Sequence, residues 1–354
     1  MSLASTLLAT VGTSMLRNRH DDIDARQLSR ALDSLPWSDP ACGAELNSLH
    51  LLTQGHVDPD CFIHYFLSDT PQAQLVGLAL RDRIGKQRVS LHTVKSLDPS
   101  NPQLFARRGL ANLAAGVGRV LRGLNHSYCA FDATAGFKAQ VGVVVALGQA
   151  LQIPVYYRHE TFDQVISLPP MPISLDARLW CQNASLFFDL ADDLNTLPSL
   201  PQDPRLLSLL EWQVQEDAYL VGLNATGAIF HEALLQQWPD VAILQLPRPA
   251  SHKEPPLLTE HNWPDRTRLL RTMQKITDHI PYVNRCITRY LNPDLPRRNL
   301  FLLKGTQILA QVSDGTHTAH FEVRTTARSP AQRAACLADL VHRLHTGKDG
   351  QWLW

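Results

Sequence analysis

Two short stretches carry the residues best suited to chemistry, Val11-Gly12-Thr13-Ser14 and Thr134-Ala135-Gly136-Phe137-Lys138. Each follows an apolar run of strand length and opens onto a helical pattern. Backbone N–H groups at a helix start attract anions, and glycine lets the chain approach a phosphate closely. On parallel strands of one sheet, the two loops would converge at the carboxyl edge, where open α/β folds bind ligands. The chemistry expected there is recognition of a phosphate-bearing small molecule.

The elements that must position these loops follow from the apolar spacing. Residues 3–10, 61–67, 87–94, 128–131 and 153–157 read as strands, and 22–34, 44–52, 70–83, 104–124 and 137–151 read as helices. Thr70, after Ser68-Asp69, has the residue type of a helix N-cap. Buried strands alternating with helices imply a parallel sheet covered on both faces, a doubly wound α/β domain over residues 1–180. A proline-rich stretch from Leu197 to Pro204 then leads to expected helices over 206–214 and 225–238, with strands over 219–223 and 241–246. That pattern suits a winged-helix-like module over residues 197–250. It carries no Lys or Arg between Leu206 and Trp238, which argues against DNA contact through it. After the prolines at 247, 249, 255 and 256, residues 257–354 form a third expected unit. Two helices meeting at Pro281 would fill 265–291, followed by strands over 299–303, 306–312 and 319–324 and a helix from Ser329-Pro330 to His345. The turn Ser313-Asp314-Gly315-Thr316 joins the last two strands, giving a small α+β domain.

Composition narrows the class of function. With 354 residues the chain has room for two or three domains. No run reaches the ~18 apolar residues of a membrane span, and Met1–Ala9 has no basic leader pattern. The six cysteines are scattered without a Cys-x-x-Cys pair, which disfavours a zinc ribbon or a disulfide framework and points to a cytoplasmic protein. Charge is unevenly spread. Residues 265–345 hold thirteen Lys/Arg against six Asp/Glu, whereas residues 1–264 hold 19 against 26. An acidic front and a basic back imply different partners for the two halves.

The first 180 residues resemble the CRISPR-associated Rossmann-fold (CARF) sensor family. The matching pieces are Ala9-Thr10-Val11-Gly12-Thr13-Ser14, Ser68-Asp69-Thr70, Asp132-Ala133-Thr134-Ala135-Gly136-Phe137-Lys138-Ala139, Ile153-Pro154-Val155-Tyr156-Tyr157 and the run Leu168 to Asp176. Ala135 stands where the family often has a second glycine. The resemblance implies a CARF homodimer that binds a cyclic oligoadenylate across its two-fold axis, with the tetra-adenylate as the leading ring and no further cofactor. A two-fold dimer presents each loop twice to a ring of phosphodiesters. Gly12 and Gly136 would offer backbone amides, Thr13, Ser14 and Thr134 hydroxyls, and Lys138 a compact charge. Asn18, one turn past Ser14, would add an amide, and Phe137 belongs to the same ligand-contacting motif.

CARF proteins commonly carry an effector after a winged-helix segment, so three effectors are weighed. A HEPN ribonuclease needs Arg-x4–6-His on a helix. Arg271 and His279 are too far apart, and no His follows Arg289 in range. A restriction-endonuclease-like nuclease needs an Asp before Glu-x-Lys. Glu322-Val323-Arg324 imitates the second half, but Asp314 falls in the turn and the preceding strand reads Gln307-Ile308-Leu309-Ala310-Gln311. The third is a RelE-type mRNA interferase, which the residues from Asp265 to His345 resemble in topology and residue class. That resemblance implies metal-independent cutting of RNA, on ribosomes, by attack of the ribose 2′-OH on the adjacent phosphate. Arg298, Lys304, Arg324 and Arg328 would supply the cations and His317 or His320 the proton transfer. Gln307 stands where many RelE proteins place an arginine. His317-x-x-His320 and His342-x-x-His345 lack the further ligands a metal needs. The expectation is thus a cyclic-oligoadenylate-switched ribonuclease. The alternative is a ring nuclease that degrades its own ligand at Ser14 and Lys138, and a weaker one a non-enzymatic regulator.

Overall fold

The computed structural model describes residues 3–16, 23–191, 193–259, 266–291, 299–313 and 318–346. The chain divides into two compact units, Met1–Leu175 with Thr196–Gln236, and Asp176–Asn195 with Gln237–Trp354.

The first unit is built on a six-stranded sheet of β1 (Ala4–Thr10), β2 (Val57–Leu67), β3 (Val89–Thr93), β4 (Cys129–Asp132), β5 (Val155–Tyr157) and β6 (Ile166–Leu168), in the order β3-β2-β1-β4-β5-β6. The first five run parallel, and β6 closes the edge antiparallel to β5. This is the mixed α/β architecture that the alternating pattern predicts. The chain lays β2 and β3 on one side of β1, then β4 and β5 on the other. The reversal therefore falls between β1 and β4, at their carboxyl ends. Alternation in β1 and β2 sends Leu7, Ala9, Ile63, Tyr65 and Leu67 into one core with Leu28, Leu32, Leu46, Leu49, Val76 and Leu80 from the helices Ala25–Asp33, Gly43–Leu52 and Pro71–Ile84. Thr70 caps the last of these, its hydroxyl accepting the Ala73 N–H at 3.2 Å. Helices Leu110–Leu121 and Lys138–Leu151 pack together, and Gly148 of the second lies against Val155 and Phe131.

The later part of this unit departs from the expected helix–strand–helix order. Residues 210–215 form strand β8 (Leu210–Gln215), not the end of a helix over 206–214. It pairs antiparallel with β9 (Ala218–Leu223) through a turn in which Glu216 has φ +43°. Strand β7 (Asn195–Leu197) borders β9. The winged-helix expectation rested on that first helix. Residues 241–245 belong to the helix Ala225–Gln245, which continues past Pro239, so the strand expected over 241–246 is also absent.

The second unit holds a four-stranded antiparallel sheet, β10 (Val283–Leu291), β11 (Leu300–Lys304), β12 (Gln307–Ser313) and β13 (Thr318–Thr325), in the order β10-β13-β12-β11. The helix Arg266–His279 precedes it, and Pro330–Thr346 packs against β11 and the short helices Ala177–Gln182 and Ala184–Ala191. The second member of the expected helical pair is β10. All six cysteines are buried free thiols, and among the described residues no helix is long and apolar enough to cross a membrane.

Candidate functional site

Both loops leave the sheet on either side of the β1/β4 reversal and touch. β1 ends at buried Thr10, whose hydroxyl donates to the Ala135 carbonyl of the other loop. A Cβ on Gly12 would lie 3.2 Å from the Gly136 nitrogen, so glycine is what permits the approach. Gly136 has φ +104°, and a side chain there would also collide with Gln140 Oε1.

A buried polar frame supports these loops. Glu45, near the start of the helix Gly43–Leu52, accepts the Gly12 N–H at 2.7 Å through Oε1. Its other oxygen, Oε2, is buried with no hydrogen-bond partner among the described residues. Asp132, the last residue of β4, accepts the Ser48 hydroxyl and the Thr134 N–H, the latter at 3.0 Å. The Thr134 hydroxyl in turn accepts the Arg158 N–H at 2.9 Å. Gln140 accepts the Phe137 N–H at 2.8 Å and donates to Ser68 Oγ at 3.0 Å, which ties the loop after β4 to the loop after β2. Burial pushes the Glu45 carboxyl up to about 7 and raises Asp132 as well, while the Gly12 and Thr134 hydrogen bonds oppose those shifts. Buried acids tipped toward neutrality lessen the repulsion that a bound anion would meet.

Over this frame lies a cavity of about 520 Å³, lined by Val11, Gly12, Thr13, Ser14, Ala44, Ser68, Thr70, Gln72, Pro99, Thr134, Ala135, Gly136 and Phe137. Its floor is glycine and hydroxyl, so a phosphate can come close to backbone and be met by Thr13, Ser14, Ser68 and Thr134. Of the residues proposed from sequence, Gly12, Thr13, Ser14, Thr134, Gly136 and Phe137 gather here. Gly12 has a different part from the one expected, because its N–H goes to Glu45 and not to a ligand. Lys138 is exposed at the first position of its helix and does not line the cavity. Asn18 lies outside the described residues. Sequence reasoning missed Glu45, Asp132 and Gln140 as supports. Asp132 stands in a matching motif without a role, Gln140 is marked as the glutamine three residues after a helix cap, and Glu45 leaves no signal.

The described basic residues proposed for the second unit fall at one end of its sheet and just beyond it. Lys304 ends β11 opposite Gln307 of β12, and the β12/β13 register sets Gln307 beside Arg324. Arg324 in turn pairs in register with Arg285 of β10. One end of the sheet thus carries a row of Lys304, Arg324 and Arg285, of which Arg285 was not foreseen. Arg285 donates to Glu254 at 2.6 Å, and exposed Arg324 lies 3.6 Å from Glu322. Arg328 is exposed beyond β13, its N–H held by Gln332 at 2.9 Å. His320 is buried on β13, its pKa lowered by burial and by nearby Lys304. Arg298 and His317 lie outside the described residues. Among the described residues no three His, Cys, Asp or Glu side chains gather as a metal site would require.

Comparison with known proteins finds one family match within the first unit. Residues 40–171, less than half of the chain, match the model of the family described as CRISPR-associated protein (Cas_APE2256). That stretch includes Glu45, Ser68, Asp132 and the whole Thr134–Lys138 loop. The comparison with curated proteins gives no match. Among solved structures, protein VC1899 from Vibrio cholerae overlaps 90% of this chain and 75% of its own at 9% identity, with a TM-score of 0.28. Can2 from Sulfobacillus thermosulfidooxidans, solved in complex with cyclic tetra-adenylate, overlaps 68% of this chain and 65% of its own at 9% identity, with a TM-score of 0.27. Overlaps this loose say nothing of function.

Proposed function

We propose that the protein is a CRISPR-associated sensor that binds a cyclic oligoadenylate at the Gly12/Gly136 cavity and thereby switches a ribonuclease in the second unit. The observation that carries this reading is the meeting of two glycine loops at the sheet's reversal point, over a hydroxyl-lined cavity, with the second loop inside the stretch that matches a CRISPR-associated family. A ring of phosphodiesters needs several close anion contacts at once, and a homodimer would supply each loop twice. Ligand then acts by favouring one dimer state over another.

In the second unit, Lys304 and Arg324 at the sheet end, with Arg328 beyond it, would hold RNA phosphate and offset charge as the 2′-OH attacks the adjacent phosphorus. That attack expels the 5′-oxygen, which takes a proton from water to become the 5′-OH, and leaves a 2′,3′-cyclic phosphate. His320, whose pKa is lowered by burial and by Lys304, would accept the 2′-OH proton. The effector half rests on residue class and position, with RelE-type cutting of ribosome-bound mRNA as its most specific form.

The test begins with calorimetric titration of the full chain with cyclic tri-, tetra- and hexa-adenylate. Labelled RNA is then incubated with and without the bound ring, in EDTA or in magnesium, with ribosomes added if naked RNA survives. Cutting that requires the ring, survives EDTA and disappears in Lys304→Ala/Arg324→Ala supports the reading. Cutting that needs magnesium points to Glu322 and a restriction-endonuclease-like centre. Loss of the ring with RNA intact points to a ring nuclease, and no binding of any ring overturns the sensor.

A further inference from the structure

Phe137 occupies the position just before the helix Lys138–Leu151, where Ser, Thr, Asp or Asn normally cap. Gln140 has taken over the local hydrogen bonding by accepting the Phe137 N–H, so the aromatic side chain does nothing for its own helix. It is nonetheless 41% exposed and is the one aromatic among the described residues lining the cavity. Exposing a phenyl ring to water costs hydrophobic free energy that a covering ligand would recover.

A second segment holds that ring in place. Phe105 meets Phe137 edge to face, with centroids 5.7 Å apart and planes at 84°. Phe105 begins a π-helical turn, Phe105–Gly109, a rare local geometry that concentrates at functional sites. The turn is seated by Gly109, where a Cβ would come within 2.6 Å of the Ser96 carbonyl oxygen and 2.9 Å of Leu97 Cα. Ser96 itself is left-handed, φ +65°, with its N–H held by Asp69 Oδ2 at 3.0 Å. The π turn, the close seat of Gly109 and the left-handed Ser96 together shape the segment that carries Phe105.

We propose that Phe137 is a stacking platform for a purine base of the ligand, and that Phe105 is a positioning residue that fixes the angle of its ring. The phosphates lie over the glycine and hydroxyl floor, and a base turns outward onto the phenyl face. This deepens the reading of the cavity as a cyclic-oligoadenylate site and rests on it for the identity of the base. Sequence-tolerant stacking of a base on an aromatic ring is strong enough for its loss to weaken binding by about tenfold or more.

The test compares full-length wild type, Phe137→Leu, Phe137→Trp and Phe105→Leu, each confirmed folded by thermal unfolding. Calorimetry with cyclic tetra-adenylate should show Phe137→Leu weakened by about tenfold or more and Phe137→Trp restored to wild type or better. Phe105→Leu should fall between wild type and Phe137→Leu. The second probe is 2-aminopurine riboside 5′-monophosphate, whose fluorescence is quenched by stacking. Quenching should occur with wild type and Phe137→Trp, vanish with Phe137→Leu and weaken with Phe105→Leu, a readout that a merely structural role would leave unmoved. If the ring does not bind but the nucleotide is quenched through Phe137, the platform stands and the cyclic ligand falls. The platform is overturned if Phe137→Leu matches wild type with both probes, if Phe137→Trp fails to rescue, or if wild type produces no quenching.

Discussion

Each unit buries a carboxylate at its centre, and the two are treated in opposite ways. Asp339 in the second unit accepts the Tyr282 hydroxyl at 2.8 Å, the Trp238 indole N–H at 3.3 Å and the Arg343 guanidinium at 2.7 Å. Both of its oxygens are engaged and a cation neutralises it. Glu45 in the first unit accepts the Gly12 N–H on one oxygen, and among the described residues its other oxygen has no hydrogen-bond partner and the carboxylate no ion pair. Its charge-bearing neighbours are Asp132 from β4, which raises its pKa further, and Tyr65 from β2, itself pushed well above the usual phenol range by burial. A fully paired buried acid is a strut. An underpaired one beneath a cavity is poised to change its protonation near neutral pH, and the contrast is between an acid whose charge is compensated and one whose charge is not.

The largest expected effect tests the strut. Asp339→Ala leaves the buried Trp238 indole without its acceptor, the Tyr282 hydroxyl with only the Cys336 carbonyl and the half-exposed Arg343 without its carboxylate, and should cost about 3–4 kcal/mol in urea unfolding. A loss under 1 kcal/mol would erase the distinction. Next comes the poised acid. Because the folded pKa of Glu45 lies near 7, above that of an unfolded carboxyl, its neutral form is the stabilising one. Stability from this group is full below about pH 4.5 and falls as pH rises through 7, by about 3 kcal/mol. Asp132, also raised, adds in the same sense. His64 on β2, 3.0 Å from His92 on β3, is lowered to about 4 by burial and contributes oppositely, losing stability as pH falls from 6.5. The difference between wild type and Glu45→Gln therefore isolates the acid. The variant keeps an acceptor for Gly12, so it should overtake wild type between pH 6 and 8, and parallel pH profiles would refute the poised state.

Smaller effects sharpen the comparison at the surfaces. Gly136→Ala places a side chain at φ +104° and against Gln140, and should cost about 1–3 kcal/mol while abolishing binding of cyclic tetra-adenylate. Arg324→Ala, on an exposed strand position, should change stability by no more than about 0.5 kcal/mol, so any loss of ring-dependent RNA cutting is functional. Intact cutting in that variant would move the effector site away from the sheet end.

The parts legible from sequence are those where one period dominates. Strongly apolar runs such as Leu7–Ala9 and Ile63–Leu67, interrupted only by His64, gave the parallel strands, and the loops that follow β1 and β4 fell where glycine and hydroxyls cluster. Strand β10 misled because Val283, Cys286, Ile287, Tyr290 and Leu291 are spaced as on a helix. Its ladder with β13 shifts register between Val283 and Arg285 and again between Thr288 and Tyr290, and those irregularities break strict alternation. Residues 206–214 fit a helix equally well, but Leu210, Trp212 and Val214 alternate and pair with Leu223, Val221 and Tyr219. Val241 to Leu246 reads as a strand in sequence, yet residues 241–245 continue a helix that Pro239 does not end. Glu45 was invisible for another reason, since nothing local marks an acid whose partner is a glycine 33 positions earlier.

The close contact of Gly12 with Gly136 also sets a rule for redesign. Any library that varies one loop alone inherits the other as a fixed wall, so new ligand preferences will come from paired changes across the two loops or from the rim at Gln72, Pro99 and Phe137.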